Sequence, residues 1–475
     1  MSHAVRLTGL VVTTFAGMFL GPIAASRSSE PSPADITAAM KKASTWYRSN
    51  VAVHGGYVYF TSEDLTKRWG EGVAAPHQIW VQPPGTPTVG MAWLAAWRST
   101  GDDGYLDAAR EAAAALIYGQ LQSGGWTNSI SFEPNGKLTA AYRNGRGKGR
   151  NYSTLDDGIT PSALRFLMRV DEATKFQDKA IHESVEIGLA ALLAAQYANG
   201  GFPQVWSGPV PRQPVVKAQY PEYDWRTENR VKEYWNCYTL NDNVVGQVAD
   251  TLAEAHAVYT DAKYLKALSQ LGEFLILAQM PAPQPGWAQQ YDFEMRPVWA
   301  RKFEPPALSG RETEDAIAAL LTVHRLTGDA HMLEPIPRAL EWLRQSQLKD
   351  GQLARYYELK TNKPLYMTAA YELTYDDSDV PQHYGWKSRT RVEQLAAAYE
   401  RARIERASPV GRQQPPTPKQ ILSVLESLDE KGRWLSTFDG DRLVGQPRMA
   451  AGARYLSSEQ FSRNIELLSA SLPAP

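Results

Sequence analysis

Leu106–Leu121 reads LDAAREAAAALIYGQL and runs straight into Gln122-Ser123-Gly124-Gly125-Trp126. Its apolar residues recur at i, i+3, i+4 and i+7, the pattern of a helix with one buried face. Its alanines suit close helix–helix packing. The helical pattern returns at Ile181–Tyr197, Val244–Tyr259 and Thr313–Leu326. The loop returns as His54-Gly55-Gly56-Tyr57 and Asn199-Gly200-Gly201-Phe202-Pro203-Gln204, with weaker echoes at Pro285-Gly286-Trp287 and Asp350-Gly351-Gln352. The spacing is about 65 to 85 residues, one helix pair plus a long loop. A glycine ending each helix would supply the left-handed residue that stops it, and the aromatic after it would face an opening. The pattern predicts an all-α fold, an α/α toroid: an incomplete barrel of helix pairs with long loops forming a cleft at one end. A scaffolding solenoid is the other reading, but loops as long as Ser207–Glu233 are too elaborate for spacers.

The 475 residues leave room for three domains or one large one with extensions. Hydrophobic residues at 43% and charged residues at 21% exclude a wholly disordered chain. Fifty basic and 51 acidic residues give a formal charge of −1, which argues against nucleic acid as the main partner. Fourteen Trp and 23 Tyr supply flat amphipathic rings that suit sugar faces as well as cores. The lone Cys237 rules out an internal disulfide and a cysteine-rich zinc site, and reads as structural.

Arg6, the uncharged apolar run Leu7–Ala24 and the small Ala24, Ala25 and Ser26 read as a signal peptide over residues 1–26. A membrane anchor is the alternative, because the run is near the spanning minimum; Pro22 and the small residues favour cleavage. The expected location is periplasmic or secreted, with no later membrane span. Residues 27–407 form the main domain, 408–420 (SPVGRQQPPTPKQ) a Pro/Gln-rich linker, and 421–475 a C-terminal extension of unread role that packs back on the main domain.

Two clusters precede helices. Tyr142–Gly149 is a basic, glycine-rich loop, and Arg150-Asn151-Tyr152-Ser153-Thr154-Leu155-Asp156-Asp157-Gly158 carries it into two acids. It reads either as a loop ending in an Asp cap or as an anion-binding loop beside a cation site. Trp235–Asn243 ends in Asn241-Asp242-Asn243, oxygen-rich enough for Ca²⁺ and equally suited to capping. Thr154-Leu155-Asp156-Asp157 parallels Thr239-Leu240-Asn241-Asp242, so the two could converge on one axis. Arg301 and Arg311 in Trp299–Glu312, and Arg355 beside Tyr356, place guanidinium forks near aromatics. Trp206, Tyr220, Tyr223 and Trp225 in the long loop could stack on sugars or pack the loop on itself. Lys217, Arg226, Arg230 and Lys232 suit an acidic polymer.

These motifs together resemble polysaccharide lyase family 10, the pectate lyases of α/α-toroid fold. The resemblance covers residues 151–160, 200–204 and 238–243, the Trp299–Gly310 stretch and Leu353–Pro364. It implies Ca²⁺-assisted β-elimination on a polyuronate, above all polygalacturonate, by a secreted enzyme whose default state is a monomer. It implies Asp156 and Asp242, with Asp157, at the metal and substrate carboxylate. Arg355 and Arg301 would act on the substrate, and Arg150, Asn151, Trp206, Tyr220, Arg311 and Tyr356 are candidates for binding it. The sequence departs from the family at one position: the arginine taken as the base is replaced by Ala369, within Thr368-Ala369-Ala370-Tyr371.

Elimination removes the C5 proton beside a uronate carboxylate and expels O4. Positive charge on the carboxylate stabilises the enolate-like charge that develops. The groups near the departing segment that could take the proton are Tyr371, Tyr375, His383, Lys387 and Arg389, with Lys387 and His383 ranked first. A glycoside hydrolase using Asp156 and Asp242 and a non-catalytic polyuronate-binding protein are the competing readings.

Overall fold

The computed structural model describes residues 31–134, 136–404, 415–440, 443 and 449–473. The signal peptide and most of the linker lie outside the described residues. The described residues form twelve α-helices: α1 (Pro33–Asn50), α2 (Thr86–Thr100), α3 (Asp103–Tyr118), α4 (Ile159–Ala173), α5 (Lys179–Ala194), α6 (Val244–Tyr259), α7 (Ala262–Ala278), α8 (Gly310–Thr327), α9 (Ile336–Gln345), α10 (Val392–Ile404), α11 (Pro418–Glu426) and α12 (Ser458–Ser471). Pairing follows chain order: α2 packs on α3, α4 on α5, α6 on α7 and α8 on α9. The even-numbered helices also pack in series, α12 on α2, α2 on α4, then α6, α8 and α10. The chain is thus built of helix pairs. No described helix is long and apolar enough to cross a membrane.

Small residues set the close approach. Ala92, Ala96, Ala109, Ala112 and Ala113 at the α2–α3 contact are fully buried, and a Cβ at Gly90 would stand 2.4 Å from the Phe166 ring of α4. The glycine loops differ from expectation. They are not helix caps: α3 ends at Tyr118 and α5 at Ala194, several residues earlier. They are tight turns, closed by Leu121 N–H to Gly125 O, Tyr197 N–H to Gly201 O and Leu348 N–H to Gln352 O, each 2.8–2.9 Å. Gly124 and Gly200 take φ of +91° and +92°, and a Cβ on Gly200 would meet Gln270 O at 1.8 Å, so only glycine fits there.

The following aromatics face inward rather than toward an opening. Tyr57, Trp126, Phe202 and Trp287 are at most 2% exposed. The amides of Tyr57, Trp126 and Trp287 each donate to a threonine of the next helix (Thr86, Thr160, Thr313) at 3.0 Å. Burying the ring and satisfying the amide staples each turn onto the following repeat.

The C-terminal segment is woven into the first repeat. Strand Arg454–Ser457 pairs antiparallel with Phe60–Ser62, Phe60 opposite Ser457. Phe461, Ile465 and Leu468 of α12 are buried, with the Phe461 ring stacked 3.9 Å from Tyr47.

Candidate active site

Each even helix begins just after a short strand, and two of these starts share one backbone device. Strand Ser153–Thr154 leads into the 3-10 turn Asp156–Gly158 and then α4; strand Tyr238–Thr239 leads into the 3-10 turn Asn241–Asn243 and then α6. In both turns two successive residues are left-handed: Asp157 (φ 46°) and Gly158 (φ 68°), Asp242 (φ 52°) and Asn243 (φ 58°). Asp, Asn and Gly are the residues that tolerate this region. The two turns touch.

This brings Asp156 and Asp242 within hydrogen-bonding reach of each other. Burial, and then the charge of its partner, pushes Asp242 up to about 6. Burial and Asp157 push Asp156 upward. Asp157 is raised to about 6 by burial, with Asp242 and Glu71 adding to it. Gln204 Nε2 donates to Asp156 Oδ1 at 2.7 Å. Gln82 Nε2 donates to Asp157 Oδ2 at 2.8 Å and to Glu71 Oε1 at 3.0 Å. Carboxylates this close cannot flank a glycosidic bond, which needs about 5 Å or more between them. The pair instead calls for a positive charge.

Two arginines border it. Arg355, 7% exposed, donates through Nη2 to Asn241 Oδ1 at 3.0 Å and lies 3.9 Å from Asp242 Oδ1. The fully buried Glu312 is its counter-ion at 3.4 Å. Burial is the largest single influence and works against the Arg355 charge, but Glu312, Tyr356, Tyr384 and Asp242 together outweigh it and hold the guanidinium above its usual pKa. Arg301 is more open, its side chain 40% exposed; it sits 4.0 Å from Asp242 Oδ2 and bonds Glu304 at 2.7 Å. Tyr384 closes the cluster. Its hydroxyl meets Tyr356 OH at 2.8 Å and Glu304 Oε1 at 2.9 Å, and its ring lies under Arg355.

The other candidates divide. Arg311, in the first turn of α8, is exposed, and its charge lowers the pKa of Asp157. Arg150 is exposed. His383 is exposed, 5.1 Å from the Phe303 ring, which also lies 4.8 Å from the Tyr384 ring and 5.3 Å from the Arg301 guanidinium. Four have polar groups bonded within the protein. Trp206 is 4% exposed, its Nε1 donating to Ser123 O at 3.1 Å. Tyr356 is fully buried beneath Gln289. Asn151 accepts the Ser123 amide at 2.7 Å, and Tyr220 donates to Pro281 O at 3.1 Å. These polar groups are spent on holding loops, as are the long-loop partners Trp225 and Trp299. Lys387 is tied to Asp377, and its strand pairs with the one ending at Ala354. Ala369 is exposed and brings only its backbone N–H, toward Asp379.

Sequence reading missed Glu304, Glu312, Tyr384, Gln204, Gln82 and Glu71. Two had a local signal: Glu304 stands three residues after Arg301, and Glu312 three after Ser309, whose hydroxyl it accepts. Tyr384, Gln82 and Glu71 arrive from distant segments with none.

The family model described as Pectic acid lyase matches residues 120–354. The matched segment is that of a polysaccharide lyase of the pectate-lyase type. The matched segment carries both acidic turns and Arg301, and stops one residue short of Arg355, where the departure around Ala369 follows. Among solved structures, the lyase is similar to the family 10 polysaccharide lyase from Cellvibrio cellulosa, at 18% identity, over 67% of this chain and 98% of that one, with a TM-score of 0.48. A mutant of that enzyme in complex with trigalacturonic acid gives 18% identity, 67% and 97% coverage and 0.47. The cellobiose 2-epimerase from Spirochaeta thermophila gives 15%, 94% and 98%, and 0.45. No curated protein sequence matches the chain.

Proposed function

We propose that this lyase is exported and cleaves an acidic polyuronate, with pectate as the substrate, by Ca²⁺-assisted β-elimination. The observation that carries the reading is the Asp156–Asp242 pair, two carboxylates with raised pKa values bordered by Arg301 and Arg355. The donors fit a hard cation: carboxylate oxygens and nearby amide side chains, with no soft ligand. Among the described residues no three Asp, Glu, His or Cys side chains form a ready cage, so Asp156, Asp157 and Asp242 would hold Ca²⁺ jointly with a substrate carboxylate. Bound there, Ca²⁺ supplies charge that acidifies C5–H and stabilises the enolate-like state.

The chain's own residues do the rest. Arg301, open to solvent, receives the uronate carboxylate. Arg355 holds Asp242 and Asn241 in place from below and adds a fixed positive charge at the developing anion. His383 takes the C5 proton: an imidazole is a suitable base near neutrality, whereas Ala369 has no such group and Lys387 is occupied by Asp377. The C5–H electron pair forms the C4–C5 double bond as the C4–O4 bond breaks, and O4 leaves as an alkoxide that takes a proton from water. Neither half of the cut chain gains water. Mass spectrometry of products from a polyuronate tests this: one fragment lacks a water relative to a hydrolysis product. Products that all carry the added water would overturn the lyase chemistry.

A further inference from the structure

A fourth carboxylate approaches the acidic turns from outside the family-matched segment. Strand Phe60–Ser62 pairs with Arg68–Trp69 on one edge and with the C-terminal Arg454–Ser457 on the other. The turn that follows, Gly70-Glu71-Gly72, is closed by Gly70 N–H to Gly72 O at 3.0 Å and by a Trp69–Val73 bridge. Gly70 is pressed on the Trp80 ring, where a Cβ would stand 2.0 Å from it. Trp80 ends the strand Gln78–Trp80, two residues before Gln82. One packing contact therefore sets Glu71 and Gln82 side by side.

The Gln82 amide joins Glu71 to Asp157. Its Nε2 donates to Asp157 Oδ2 at 2.8 Å and to Glu71 Oε1 at 3.0 Å, so the two carboxylate oxygens stand within about 6 Å of each other. Both acids are open to solvent, and this neutral amide is the only hydrogen-bond partner of either among the described residues. Gln82 itself is 5% exposed, and its Oε1 is buried with no donor. A half-turn of the amide would place Oε1 between the carboxylates and break no bond on the Oε1 side. Three oxygens facing one point repel each other without a cation and bind a hard one.

We propose that Glu71, Asp157 and the Gln82 amide oxygen form a second divalent-cation site, which takes Ca²⁺ in the absence of substrate. Water completes the shell. Asp157 stands between this ion and the Asp156–Asp242 pair, and the ion pins the Gly70–Gly72 turn to the acidic end of the catalytic cluster. Glu71 and Gln82 precede residues 120–354, so the site is an addition to the segment matched as a lyase.

The site extends the cation reading of the acidic turns but needs no polyuronate. The test is calorimetric titration of the full chain with Ca²⁺ alone, beside melting temperature in Ca²⁺ and in EDTA. The wild type is expected to bind Ca²⁺ and to melt higher with it. E71Q and Q82L should each weaken binding at least tenfold and remove the rise in melting temperature, and D242N should weaken it less than threefold. No binding below about 10 mM Ca²⁺, or binding that E71Q or Q82L leaves intact, overturns the site. A larger loss with D242N than with E71Q assigns the ion to the Asp156–Asp242 pair and overturns it equally. None of these results touches the lyase chemistry, which is read independently from the products.

Discussion

The Arg355 guanidinium lies 4.4 Å from the centre of the Tyr384 ring. That ring, with Glu312 and Asn241 on the guanidinium's hydrogen-bonding side, leaves Arg355 only 7% exposed. Arg355 is therefore as much a structural ion as a site residue. R355A would leave Glu312 buried without its counter-ion, and we expect a loss of about 3–5 kcal/mol in unfolding free energy. R355K keeps the charge but loses the fork, and should lose activity by more than tenfold with a smaller loss of stability. Denaturant unfolding beside turnover checks both.

D242N should move activity and stability in opposite directions. The folded pKa of Asp242, about 6, lies above its unfolded value near 3.8. The folded state holds the proton more tightly, so stability falls as pH rises from about 4 to 6. At pH 7 the charged group costs about 3 kcal/mol, which the amide avoids. D242N is expected to melt higher than the wild type at pH 7, with the gap closing below pH 4, and to lose lyase activity. A lower melting temperature at pH 7 would contradict the strain assigned to the acidic pair.

Trp206 separates packing from recognition. The buried ring and its bond to Ser123 O predict that W206A costs about 3–5 kcal/mol. Any rise in KM at a temperature where the variant stays folded should be small. Calorimetry and initial rates measured together decide it.

A pH-dependent contribution should come from His182 on α5. Its Nδ1 lies 2.8 Å from the fully buried Asp171, and this bond raises its pKa above 6.5. The folded state therefore favours the imidazolium. The stabilisation is fully present below about pH 6.5 and is lost as pH rises through the folded value. Melting temperature against pH for H182Q should lack that decline.

The sequence made the helices legible wherever the 3.6 period was strong: α6 spans the predicted Val244–Tyr259, and the two Thr-Leu-Asx-Asp motifs meet as their parallel suggested. Side-chain direction was not legible. A Gly-Gly-aromatic loop reads the same whether the ring lines a cleft or staples a repeat, and Tyr57 and Trp126 do the second. The partners of the acidic residues were hidden for another reason. Gln82 reaches Asp157 across 75 positions and Tyr384 reaches Arg355 across 29, separations that periodicity does not encode.

The central claim is elimination at the Asp156–Asp242 pair, and ultraviolet absorbance of an unsaturated uronate product tests it most directly. The protein is incubated with polygalacturonate, in Ca²⁺ and in EDTA. A rise in absorbance with Ca²⁺ that EDTA abolishes and D242N lacks is the predicted result. No rise in either condition, or one that D242N retains, would contradict the account.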